Sequence, residues 1–172
     1  LSRLGLDSVA MGLMAGAYGQ VLVAGLRAMG LTCDFVEVAG ETRSNVTVID
    51  AATGVTTKLN EPGPTVTPAD VMTFEERLRA RLAPGDVCVM SGALPAGAPA
   101  DTYARLIATV RRSGGLAVLD ASGEPMAVGC AAAPDLVKPN VVEAEELVGT
   151  RLDGLARLDD DLLASLEGIR HL

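Results

Sequence analysis

Residues 86–123 read DVCVMSGALPAGAPADTYARLIATVRRSGGLAVLDASG. Asp86 to Ser91 is a short apolar run with the character of a buried strand, and Leu116 to Asp120 is a second. Between them Asp101 stands as an N-cap before one apolar stripe, Tyr103, Leu106, Ile107 and Val110, which Gly114-Gly115 stops. Strand, helix and strand in this order form a crossover unit, so the two strands are expected to be parallel under a helical layer.

The same alternation extends in both directions. Downstream, Glu124 to Ala132 reads as a helix that Ser122 could cap. Asp135 to Lys138 is a short apolar strand, and Val141 to Val148 and Asp159 to Ile169 are helical. Upstream, Ser8 to Met14 reads as a buried strand, followed after a Gly turn by a helix from Gln20 to Met29 that Gly30 stops. Thr67-Pro68-Ala69-Asp70 is a helix start with a hydroxyl cap, Pro at the first helical position and an acid in the first turn. Its stripe is Val71, Phe74, Leu78 and Leu82, ended by Pro84-Gly85. One stretch departs from this rhythm. Arg43 to Asp50 alternates with period two, Ala51 to Gly54 turns, and Val55 to Asn60 returns, which describes a β-hairpin projecting from an α/β core.

Composition narrows the function. The chain has 172 residues, is 49% hydrophobic and carries a formal net charge of -8. It holds enough apolar surface for a core, and its acidity opposes nucleic acid or an anionic membrane as a partner. With no Trp and few other aromatics, a base-stacking platform is not expected. The single His, His171, leaves little scope for a His-dependent nucleophile or a His-rich metal site. Cys33, Cys88 and Cys130 lie far apart and read as reduced core thiols of a cytoplasmic protein. Val9 to Leu26 carries no charge over eighteen residues, close to a membrane span. Gly16, Tyr18, Gly19 and Gln20 interrupt it, and it has no basic leader, so strand, turn and helix are the expected reading.

Neither a G-x-G fingerprint nor a Gly-Lys phosphate loop occurs. Three polar segments instead follow three parallel strands, where open α/β folds bind ligands. Ser91 to Gly97 is a small-residue loop that lets a ligand approach the backbone, or an ordinary Gly/Pro loop. Asp120-Ala121-Ser122-Gly123 offers a carboxylate for a metal or a hydroxyl, or a turn and cap. Lys138-Pro139-Asn140-Val141-Val142-Glu143 reads as a capping box with Asn140 at the cap and Glu143 at N3. It also reads as a site in which Lys138 reaches a phosphate while Asn140 and Glu143 orient water around Mg²⁺. The two readings are compatible. Arg43 and Asn45, at the foot of the hairpin, are either a phosphate contact or a solvated strand edge.

Taken in order, GETRSNVTVID, NEPGP (Asn60 to Pro64), SGALPAG, LDASGE and LVKPNVVEAEEL resemble the ribokinase-like (PfkB-type) carbohydrate kinases. The T-R-x-N and NEPGP pair is similar to the branch of 1-phosphofructokinases and tagatose-6-phosphate kinases in particular. The resemblance runs to about Gly149. It implies a three-layer α/β fold with a mainly parallel sheet over residues 1–172, and residues 41–62 as a hairpin that is lid and homodimer clasp. It further implies transfer of phosphate from ATP to a hexose phosphate, as fructose 1-phosphate to fructose 1,6-bisphosphate. Arg43 and Asn45, with Ser91 and Gly92, would meet the substrate. Asp120, Lys138 and Asn140 would lie near the nucleotide, and Asn140 and Glu143 near Mg²⁺. The family's second Ser of S-G-S-L-P is Ala93 here, so one sugar contact is lost. Its Gly-Gly-Lys segment would precede Leu1 and its Gly-Ala-Gly-Asp motif, with the general base, would follow Leu172. A central piece of a kinase, inactive alone, is therefore the expectation. A non-catalytic sugar-phosphate-binding or dimerisation fragment and an unrelated α/β binding domain are the competing readings.

Overall fold

The structure is a computed structural model and describes residues 5–151. The chain divides into two compact units, one of residues up to Leu78 with Pro95–Ala98, the other of Arg79–Leu94 with the residues from Pro99 onward. The helix expected at Asp159 to Ile169, and His171, lie outside the described residues.

In the first unit β1 (Val9–Ala15) and β2 (Thr32–Val38) pair in parallel, from Val9 opposite Thr32 to Ala15 opposite Val38, and α1 (Gly16–Ala28) connects them. The helix begins four residues before the expected start. Gly16 takes φ +59°, a left-handed turn that costs glycine little, and so joins strand to helix in one residue. The Glu41 carboxylate then accepts the N–H groups of Ala17 at 3.2 Å and Tyr18 at 2.6 Å, serving the bare start of α1. The uncharged stretch is thus split, and no helix among the described residues is long and apolar enough to cross a membrane.

β2 was not foreseen as a strand. Its letters TCDFVEV include two acids, and Asp34 is answered by Arg77 at 3.1 Å from far along the chain. Val36 and Val38 are buried with Ala15, Val66 and Val71, and Leu13, Phe74 and Ala98 pack around them. α2 (Pro68–Arg81) starts as expected, with Thr67 and Asp70 bonding reciprocally: Thr67 N–H to the carboxylate at 2.8 Å and Asp70 N–H to the hydroxyl at 3.3 Å. The hairpin is present as β3 (Asn45–Ile49) and β4 (Thr56–Asn60), antiparallel, forming a sheet of its own with every strand residue exposed. Its turn is tied by Asp50, whose carboxylate accepts Thr53 Oγ1 and Ala52 N, each at 2.8 Å. The Thr53 hydroxyl, then these backbone N–H groups, hold that carboxyl below the usual range.

In the second unit β5 (Val87–Ser91), β6 (Leu116–Asp120) and β7 (Leu136–Val137) form a parallel sheet in that order. α3 (Thr102–Arg112) and α4 (Gly123–Ala131) are the crossovers, and α5 (Val141–Val148) follows β7. The α3 stripe is buried throughout, with Ile107 and Val110 at 0% exposure, among Met90, Ala117, Leu119, Met126 and Cys130. Three expectations need correction here. β5 is buried on one face only: Val87 and Val89 are about 60% exposed, and Leu116 and Leu136 share their exposed character. β7 is shorter than Asp135 to Lys138, spanning Leu136–Val137, although the flanking Asp135 and Lys138 N–H groups still donate to the Ala117 and Leu119 carbonyls of β6 at 2.8 and 2.9 Å. Asp101 and Ser122 stand at the N-caps of α3 and α4 without capping through their side chains; at α3 the Thr102 hydroxyl bonds the Pro99 carbonyl at 2.6 Å instead. Of the three thiols Cys130 is a core residue, while Cys33 and Cys88 are half-buried, and all three are free.

Candidate active site

Parallel strands that end in step bring the residues after them to one edge. Ser91 and Asp120 are opposite each other in the β5–β6 register, and Lys138 directly follows β7. The side chains meet. Lys138 Nζ lies 3.0 Å from Asp120 Oδ1, and Ser91 Oγ donates to Asp120 Oδ2 at 3.3 Å. Asp120 is the hub of this cluster and is half-buried, while the Lys138 side chain that pairs with it is 68% exposed and open to solvent. The backbone is drawn in as well, since Gly92 N–H donates to the Asp120 carbonyl at 3.0 Å and Lys138 N–H to Leu119 at 2.9 Å.

Asn140 and Glu143 form the expected capping box. Glu143 N–H donates to Asn140 Oδ1 at 3.0 Å, and Asn140 N–H donates to Glu143 Oε2 at 2.8 Å. The box uses one oxygen of each side chain, so capping does not consume Glu143 Oε1. Glu143 also lines a hollow of about 230 Å³ between α4 and α5, with Gly123, Glu124, Met126, Ala127, Glu146 and Leu147. No cluster of three or more acid, His or Cys side chains suited to a metal occurs among the described residues. A magnesium ion here would rely on a nucleotide's phosphates for most of its oxygen ligands, as that hard cation commonly does. Glu143 keeps one carboxylate oxygen for such a cation, and the separate Asp120 cluster offers the Lys138 ammonium to phosphate oxygens.

Arg43 and Asn45 belong to the first unit, both exposed at the foot of the hairpin, with Asn45 opposite Asn60 in the first pair of the β3–β4 register. The SGALPAG segment is divided, Ser91 to Leu94 in the second unit and Pro95 to Gly97 in the first, where Val66 N–H donates to the Ala96 carbonyl at 2.7 Å. Two contributors escaped the sequence reading. Glu41 carried no local sign of its role, because it serves a helix more than twenty residues earlier. Tyr103 was read only as core; it is buried, yet its hydroxyl donates to the Gly92 carbonyl at 2.8 Å. A phenol within an otherwise aliphatic stripe was the available signal.

The strand ends of this crossover α/β fold carry a cation, a carboxylate, a hydroxyl and an Asn-x-x-Glu helix start. The chain belongs to the pfkB family of carbohydrate kinases, whose pattern matches residues 1–171. It is 35% identical to the 1-phosphofructokinase of Rhodobacter capsulatus over 98% of this chain and 55% of the relative. It is 30% identical to the tagatose-6-phosphate kinase of Staphylococcus epidermidis strain RP62A, over 88% of this chain and 49% of the relative. Among solved structures it resembles the tetrameric inhibited form of phosphofructokinase-2 from Escherichia coli. That match has TM-score 0.85 and 28% identity, and covers 99% of this chain and 55% of the other. The fold is therefore the ribokinase-like α/β fold. The chain spans about half the length of the curated relatives it matches.

Proposed function

We propose that the protein transfers the γ-phosphoryl group of ATP to a free hydroxyl of a hexose phosphate, as fructose 1-phosphate to fructose 1,6-bisphosphate. The observation that carries this reading is the Lys138–Asp120–Ser91 cluster at the ends of three parallel strands. In the transfer the sugar oxygen bonds to the γ-phosphorus, the bond to the ADP oxygen breaks, and the hydroxyl proton leaves to a base. Charge on the moving group is what needs stabilising. Lys138 supplies a cation for the phosphates, with Asp120 and Asn140 beside it. Asn140 and Glu143 would hold Mg²⁺ through its water, and the ion would supply positive charge that screens the phosphate oxygens. Ser91 and Gly92 meet the sugar; for Arg43 and Asn45, in the first unit, the family resemblance implies a phosphate contact. The hairpin of residues 41–62 acts as a lid and as the contact of a homodimer, for which the exposed Val46, Val48 and Leu59 supply an apolar face. The unpaired thiols suit the reducing cytoplasm. The Gly-Ala-Gly-Asp motif that would carry the base does not occur in this sequence. Residues 1–172 alone should therefore give only background turnover in a coupled assay with fructose 1-phosphate and ATP. Robust turnover would make Asp120 the base.

Glu143→Gln separates the metal role from the cap. Gln also serves at N3, so the helix start and the melting temperature should be retained. Only the charge felt by a metal is removed. Nucleotide affinity measured with Mg²⁺ should fall about tenfold, equivalent to roughly 1.4 kcal/mol, while affinity without Mg²⁺ stays unchanged. Equal affinities for both proteins in Mg²⁺ would reduce Glu143 to a capping residue.

A further inference from the structure

Gly92 is held from two sides. Its N–H continues the β5–β6 ladder to the Asp120 carbonyl at 3.0 Å, and its C=O accepts the Tyr103 hydroxyl at 2.8 Å. At φ +106° its backbone takes a turn that few other residues adopt. The next peptide is trans, so its C=O and N–H point in opposite directions. A Gly92 carbonyl drawn onto α3 therefore turns the Ala93 N–H away from α3, and Ala93 is exposed. Ala93 has no hydroxyl with which to make a contact, so its backbone N–H is the hydrogen-bond donor that this position offers.

We propose that Tyr103 is a positioning residue, whose hydroxyl orients the Gly92–Ala93 peptide so that the Ala93 N–H donates to an oxygen of the bound sugar phosphate. The inference rests on the substrate reading above. Geometry gives Tyr103 two separable roles. Its ring fills the α3 stripe, and its hydroxyl, at the ring's far end, fixes a loop. Burial pushes the phenol's pKa up, and the nearby charge of Asp120 adds to this, so the group remains a donor at neutral pH. Neutral hydrogen bonds of this kind are worth about 1 kcal/mol, so losing the orientation should weaken binding roughly fivefold.

The test uses the ¹⁵N-labelled protein and its Tyr103→Phe variant, titrated separately with fructose 1-phosphate, inorganic phosphate and ATP. In the unsubstituted protein the Ala93 amide resonance should move on adding fructose 1-phosphate. In Tyr103→Phe the Ala93 resonance should already be displaced without ligand, and sugar-phosphate affinity should fall roughly three- to tenfold. Nucleotide affinity and melting temperature should stay close to those of the parent, which a purely structural role for the hydroxyl would not leave so selectively divided. Movement of Ala93 with inorganic phosphate as well assigns the acceptor to the phosphoryl group; movement with the sugar phosphate alone assigns it to a hydroxyl. Equal sugar-phosphate affinity in the two proteins overturns the role of Tyr103 and leaves the substrate reading intact. No binding of fructose 1-phosphate by the unsubstituted protein overturns the substrate reading and this inference with it. Should Tyr103→Phe fail to fold, Gly92→Ala displaces the same peptide from the loop side, because alanine disfavours φ +106° while its methyl itself meets open space. The same selective loss is expected there, and its absence counts against the proposal.

Discussion

On the proposed kinase reading, Lys138→Met is expected to lower turnover by roughly 10²–10³-fold, the range for removing one preorganised group that stabilises developing charge. Methionine keeps the length and flexibility of the stem and removes only the ammonium. The chain has one other lysine, Lys58, which lies in β4 on the hairpin in the first unit. Lys138 is the one lysine of the second unit's sequence. Stability should hardly respond. The pair with Asp120 is largely solvated, since Lys138 is 68% exposed, and exposed ion pairs contribute about 0–1 kcal/mol. The contrast in magnitude makes the experiment decisive: steady-state kinetics with ATP should collapse while the melting curve moves by no more than a few degrees. Turnover within about twofold of the parent, or lost only in step with unfolding, would remove Lys138 from the chemistry.

The second large effect concerns the packing beneath the site. Ile107 is completely buried in the α3 stripe, over the sheet face that carries Leu119. Ile107→Ala should cost about 2–5 kcal/mol, the range for truncating a buried aliphatic side chain to alanine. Set against the 5–15 kcal/mol typical of a whole protein, that is a large share. Ile107→Val, which removes a single methylene, should cost about 0.5–1.5 kcal/mol. Denaturant unfolding followed by circular dichroism would measure both. A loss under about 1 kcal/mol for the alanine variant would mean that the layer of α3 and α4 does not hold this sheet.

The second unit was the more legible half of the fold. Its strands are short apolar runs and its longest helix has one clean stripe, so pattern and structure coincide at Tyr103, Leu106, Ile107 and Val110. β2 was not legible, because Asp34 and Glu37 spoil its run and the arginine that satisfies Asp34 lies 43 residues away. Caps divided in an instructive way. Thr67 and Asn140 each have an acid three residues on that answers the cap residue's own N–H, and both caps formed. Asp101 and Ser122 have no such reciprocal partner, and neither side chain caps its helix. At the site, strand order and strand ends were enough to bring Ser91, Asp120 and Lys138 together. The double hold on Gly92 was hidden, since a hydroxyl reaching a carbonyl eleven residues earlier leaves no local periodic signature.

The single-residue passage from β1 into α1 has a bearing on heredity. A methyl group added at Gly16 would overlap the Glu41 carboxylate, which is bound to the two N–H groups just after it. Position 16 therefore cannot change before position 41. A lineage that gains a side chain at 16 must first have shortened or redirected residue 41, and one that loses the acid leaves the helix start bare while glycine is still favoured by the left-handed turn. The permitted route runs through residue 41 first, so descendants should far more often keep Gly16 without Glu41 than Glu41 without Gly16.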